Sequence, residues 1–160
     1  MKQTISTIKC VIVLLMIFSF ARLSFGQNRS SLLITTATLE KNLNDASLII
    51  LHYGNKEDFA KEHIPNARLI SLKELLVDKE NGLKHELPDD KKIEQVIKSW
   101  GVNNNSRIVI CYGEEKYLVM AARLFFTLDY AGLGDRVSIL NGGFVQWKNE
   151  NRKITSDVLS

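Results

Sequence analysis

The sequence predicts an α/β domain with a mainly parallel central sheet, and three observations predict it. Segments of strand length alternate with segments of helical periodicity along the chain. Two of the strand segments, Ala46 to Tyr53 and Ile108 to Tyr112, are apolar almost throughout, as strands covered on both faces are. The 160 residues, 45% hydrophobic and 24% charged, suit one domain with its own core. This composition excludes disordered, collagen-like and disulfide-scaffold proteins, and 2 Pro with 9 Gly exclude long low-complexity linkers.

The chain begins with Lys2 and Lys9 and no acid, followed by the apolar run Cys10 to Phe20 and the small residues Ser24 and Gly26. A basic end, a short apolar core and small residues predict a cleavable secretory signal over 1–26, cut before Gln27, and hence a periplasmic or secreted protein. The apolar core is shorter than the roughly 20 residues of a spanning helix. The alternative is an uncleaved anchor, whose extension Arg22 interrupts. Cleavage changes the charge. The chain carries +3, and Lys2, Lys9 and Arg22 account for all of it, so the mature protein is formally neutral. It also removes Cys10 and leaves Cys111 as the single thiol, with no internal disulfide.

The expected domain covers 31–155, between short tails at 27–30 and 156–160. Ser31 to Thr35 is a short apolar run, and Thr38 to Asn44 reads as a small helix. After the strand Ala46 to Tyr53, Asn55 caps a helix through Glu62, ended by the restriction that Pro65 places on Ile64. Ala67 to Ile70 is a short strand, and Ser71 opens a helical segment through Val77. A polar stretch with the turn pair Asn81-Gly82 follows. Pro88-Asp89-Asp90 starts a helix with acids in its first turn and Ile93, Val96, Ile97 and Trp100 on one face, closed by Gly101. The strand Arg107 to Tyr112 leads to Tyr117 to Tyr130, apolar almost all round and read as a core helix that includes Phe125 and Phe126. Arg136 to Leu140 is the last strand, and Asn141-Gly142-Gly143 turns it into the helix Phe144 to Lys148. In parallel α/β sheets, sites lie beyond the carboxyl ends of the strands. That rule selects three segments: Gly54 to Lys56, Tyr112 to Tyr117 and Asn141 to Phe144.

Four pieces in order resemble the rhodanese family of sulfurtransferases. They are His63-Ile64-Pro65-Asn66-Ala67, Leu87-Pro88 with Trp100-Gly101-Val102, the strand Ile108 to Tyr112, and Leu140-Asn-Gly-Gly-Phe-Val-Gln-Trp147. The resemblance implies a three-layer domain, a five-stranded parallel sheet with helices on both faces. It is closest to the first, non-catalytic half of two-domain thiosulfate and 3-mercaptopyruvate sulfurtransferases, whose pattern Ala121-Ala122-Arg123 with Phe125-Phe126 resembles, as the tail Lys153 to Asp157 resembles their interdomain linker.

The family's chemistry is covalent catalysis by a thiolate that accepts sulfur as a persulfide, which calls for a low-pKa Cys heading a loop of inward-pointing N–H groups. The resemblance makes Cys111 the candidate nucleophile. Tyr112, Gly113, Glu114, Glu115, Lys116 and Tyr117 then form the anion-binding loop, with Lys116 as its cation. The donor would be thiosulfate or mercaptopyruvate and the acceptor a thiol. The sequence also departs from the family. Glu114 stands where a Gly is usual, Glu62 precedes His63 in place of Gly, and His52-Tyr53-Gly54 stands where Asp-x-Arg is common. Adjacent carboxylates repel a sulfur-donor anion and raise a thiolate pKa. The alternative alignment puts Tyr112 at the nucleophile position, and a one-residue slip in a strand turns Cys111 into the core. Two readings therefore stand: an exported sulfurtransferase using Cys111, and a catalytically silent module that binds a protein partner or completes another sulfurtransferase domain. No cofactor is expected. His52 and His85 lack metal-ligand spacing, and Lys91-Lys92 and Arg152-Lys153 lie among balancing acids, so neither metal nor nucleic acid is expected.

Overall fold

The computed structural model describes residues 32–78, 80 and 82–157. The expected signal over 1–26, the tail 27–30 and the last three residues lie outside them. Among the described residues, no helix is long and apolar enough to cross a membrane.

Five strands form one parallel sheet: β1 (Leu33–Ile34), β2 (Leu48–Tyr53), β3 (Ala67–Leu69), β4 (Arg107–Tyr112) and β5 (Val137–Leu140). Their order is β1-β5-β4-β2-β3, so the two long apolar strands lie side by side at the centre. Alternation along β4 divides the core. Ile108, Ile110 and Tyr112 join Ile49 and Leu51 beneath α3 (Asp90–Ser99) and α4 (Leu118–Tyr130). Val109 and Cys111 join Ile50 and Leu140 beneath α1 (Thr36–Lys41), α2 (Lys56–Lys61) and α5 (Gly143–Asn149). The fold is thus the expected three-layer α/β domain with helices on both faces.

Local chemistry sets the helix starts. Thr35 Oγ1 accepts the Thr38 N–H and starts α1 two residues before the position read from periodicity. Asn55 Oδ1 accepts the N–H groups of Glu57 and Asp58 at 2.7 and 3.1 Å, and Asp89 Oδ1 accepts that of Lys92. Gly101 follows α3 with φ +79°, a left-handed conformation that favours glycine.

Two expectations are corrected. The segment after Ser71 is a single 3-10 turn over Lys73–Leu75, after which Val77 pairs as an antiparallel bridge with Glu86. Helix α4 is not buried all round, because it has the sheet on one side only: Val119 is 76% and Phe126 68% exposed. Phe126 is therefore a surface residue, while Phe125 is partly buried against the core.

Candidate functional site

The carboxyl ends of β2 and β4 lie together, with His52 paired to Cys111 and Tyr53 to Tyr112. The three segments selected from the sequence meet there. Asn55, then Gly113, Glu114 and Tyr117, and finally Phe144 line one cavity of about 260 Å³, with His52 and Phe59 also in its wall. The Asn-Gly-Gly turn closes tightly over β4. A Cβ on Gly143, whose φ is +59°, would stand 2.5 Å from the Tyr112 carbonyl oxygen, so only glycine fits.

Cys111 faces the layer of α1, α2 and α5. It is 0% exposed and grouped with Leu39, Val109, Leu140, Phe144 and Trp147. Its thiol lies 3.9 Å from the Tyr112 carbonyl oxygen. Burial pushes the thiol pKa up, which disfavours the thiolate. Tyr112 faces the opposite layer. Its phenol is also held above the usual value, chiefly by burial, then by Cys111 and Glu115, with the Gly142 N–H acting the other way.

Three amides of the segment after β4 are bonded to carbonyl groups. Gly113 N–H donates to the Tyr53 carbonyl at 3.0 Å, Tyr117 N–H to the Glu114 carbonyl at 2.9 Å, and Leu118 N–H to the Glu115 carbonyl. These three amides are therefore not free to cradle an anion. Glu114, Glu115 and Lys116 are exposed. Lys116 binds Glu114 at 3.0 Å and lies 5.1 Å from the Tyr117 ring centre; the bond to Glu114 raises its pKa. Tyr117 packs edge-on against Tyr53 at 5.7 Å. The candidate loop thus stands beside the cavity while the candidate thiol lies beneath it.

His52, which the sequence brought forward only as a departure from Asp-x-Arg and as lacking metal-ligand spacing, is the buried polar group in the cavity wall. It is 2% exposed, set edge-on against Phe59 at 5.0 Å and Phe144 at 5.8 Å, and its Nδ1 has no hydrogen-bond partner. Burial, and secondarily the neighbouring His63, lowers its pKa to about 4. The signal was available in the sequence: a His next to the end of an apolar strand, two residues before a Gly. His63 differs. Its Nδ1 lies 2.7 Å from the Phe59 carbonyl and its Nε2 3.0 Å from that of Asp157, while its backbone pairs with Thr155. That bonding fixes the turn at Ile64-Pro65 and straps the tail to it. Among the described residues no three His, Cys, Asp or Glu side chains are grouped as a metal site would require.

A parallel five-stranded sheet between two helical layers, with its candidate loop at the end of the central strand, defines a class of α/β domain. The rhodanese-like domain family matches residues 35–150, and the chain belongs to it. It is 27% identical over 139 residues to a probable 3-mercaptopyruvate sulfurtransferase of Pseudomonas aeruginosa, covering 79% of this chain and 48% of the relative. It is 29% identical over 103 residues to the thiosulfate sulfurtransferase of Gallus gallus, covering 64% and 35%. The chain thus spans about a third to a half of the length of these relatives. Among solved structures, SseA from Escherichia coli, described as a 3-mercaptopyruvate sulfotransferase, superposes with a TM-score of 0.66 at 22% identity over 81% of this chain and 52% of that one. YnjE superposes at 0.68 with 17% identity, over 83% and 32%. Both share the fold.

Proposed function

We propose that this member of the rhodanese-like sulfurtransferase family is an exported binding module, catalytically silent, that corresponds to the first half of a two-domain sulfurtransferase. The burial of Cys111 carries this reading. Persulfide formation needs a thiolate that reaches the sulfur donor, and a thiol with no exposed surface and a raised pKa supplies neither. The loop supports the same reading, since Glu114 and Glu115 place two carboxylates where a sulfur-donor anion would bind. Correspondence to a first half rests on Ala121-Ala122-Arg123 with Phe125-Phe126 and on the tail Lys153 to Asp157, which resembles an interdomain linker. The partner is then a protein, a further sulfurtransferase domain. Export rests on the basic and apolar pattern of 1–26, and N-terminal sequencing of the mature protein should begin at Gln27.

The test is the rate at which iodoacetamide alkylates Cys111 in the native protein across neutral and alkaline pH, with the label located by peptide mapping. The expected outcome is labelling only after denaturation, and no thiocyanate from cyanide with thiosulfate or mercaptopyruvate. Rapid native labelling at neutral pH, with thiocyanate formation abolished by Cys111→Ser, would replace this reading with sulfur transfer by Cys111. In that case Tyr112 to Tyr117 would form the anion loop and Lys116 its cation.

A further inference from the structure

We propose that the cavity at the carboxyl ends of β2 and β4 is a binding site for a small uncharged molecule, an apolar body bearing one hydroxyl-type group, with His52 as its polar anchor. The inference goes beyond the silent-module reading and does not depend on the state of Cys111. A buried polar group without a partner is rare in a folded protein and calls for one. The His52 ring is such a group, almost wholly buried in the wall of a cavity of about 260 Å³: Nδ1 is enclosed without a partner, and Nε2 is the nitrogen beside Gly54 and Gly113 that a ligand in the cavity would reach.

Two glycines keep the imidazole approachable. A Cβ on Gly54 would come within 3.0 Å of His52 Nε2, and one on Gly113 would stand 3.5 Å from it. Gly113 thus leaves a methyl-sized opening over the ring. The surroundings select the ligand. Phe59, Phe144, Tyr117 and Val145 make most of the cavity's surface apolar. The nearby ammonium groups are paired: Lys61 with Asp58 at 3.5 Å, Lys148 with Glu62, and Lys116 with Glu114 at 3.0 Å. The imidazole itself stays uncharged down to about pH 4. No unpaired positive charge thus draws an anion in: the charged side chains of the lining, Asp58, Lys61, Glu62, Glu114 and Lys148, are all in ion pairs. The neutral imidazole stands in a wall whose surface is mostly apolar, with the amides of Asn55 and Asn149 as its other neutral polar groups. The volume lies below that of drug-sized pockets, so the molecule is small.

Phenol serves as the probe, added to the full chain while the ring nitrogens of His52 are followed by NMR, with thiosulfate as the anionic comparison. The expected result is a saturable shift of the His52 signals with phenol and none with thiosulfate. Gly113→Ala fits without strain, since its Cβ would make only ordinary contacts, so its melting temperature should match the parent's. Its methyl group should weaken phenol binding by about tenfold or more. The proposal is overturned if phenol leaves His52 unmoved or moves it without saturation, if Gly113→Ala binds phenol as tightly as the parent, or if thiosulfate produces the same saturable shift. Thiocyanate formation would overturn the silent-module reading and leave this one standing.

Discussion

The two central strands end alike in sequence and differently in chemistry. β2 closes on His52-Tyr53-Gly54 and β4 on Cys111-Tyr112-Gly113, and the register pairs His52 with Cys111 and Tyr53 with Tyr112. His52 and Cys111 therefore face the same helical layer from adjacent strands. Desolvation acts on both toward the uncharged form, raising the pKa of the thiol and lowering that of the imidazole. What separates them is reach. A thiol ends one atom beyond Cβ and stops among Leu39, Val109 and Trp147, whereas an imidazole extends to the glycine-lined cavity. A reactive residue type at the end of one central strand is thus sealed, and the imidazole at the end of its neighbour borders the open space.

The largest test of this contrast is pH. Burial lowers the folded pKa of His52 from 6.5 to about 4, so between these values the unfolded chain binds the extra proton. The stability tied to its neutral form is complete above pH 6.5 and is lost as pH falls toward 4, by up to about 3 kcal/mol. Denaturant titrations across that window should show the loss, and His52→Phe should flatten it.

Next in size is the sealed strand end. Cys111→Ser places a hydroxyl among apolar side chains and should cost about 2 kcal/mol in chemical denaturation, whereas Cys111→Ala should cost about 1. If the serine variant were as stable as the parent, Cys111 would not be packed as described.

The two glycines provide a finer comparison. Gly54→Ala pushes against His52 Nε2 at 3.0 Å and the Gly113 backbone at 3.4 Å, and should lower stability by about 1 kcal/mol. Gly113→Ala should stay within about 0.5 kcal/mol of the parent by the same measurement, since it makes ordinary contacts. Equal losses would mean that the cavity above His52 is not open. The smallest effect belongs to the loop, where Lys116→Ala breaks only an exposed pair with Glu114 and should change stability by less than about 0.5 kcal/mol.

The strands and caps were legible in the sequence because their causes are local. Unbroken apolar runs reported β2 and β4 as doubly covered, and Asn55 and Asp89 marked helix starts through their own side chains. Phe126 and the segment after Leu72 were misread because periodicity does not say how much of a helix meets the sheet, or whether a competing bridge such as Val77 with Glu86 ends a turn. The candidate site was legible as a place, since the three segments chosen by the strand-end rule do meet, but its polar group was passed over.

By itself the sequence determined the fold class, the order of its elements and the likeness to rhodanese domains, because these follow from apolar patterning and from short motifs that specify turns. It left open which way Cys111 points, because side chains alternate faces and a slip of one residue turns it from one layer to the other. Only the tertiary structure decided that. Pairing with β2 sets the register, the register turns Cys111 into the core, and two glycines distant in sequence meet beside His52 at the wall of a cavity.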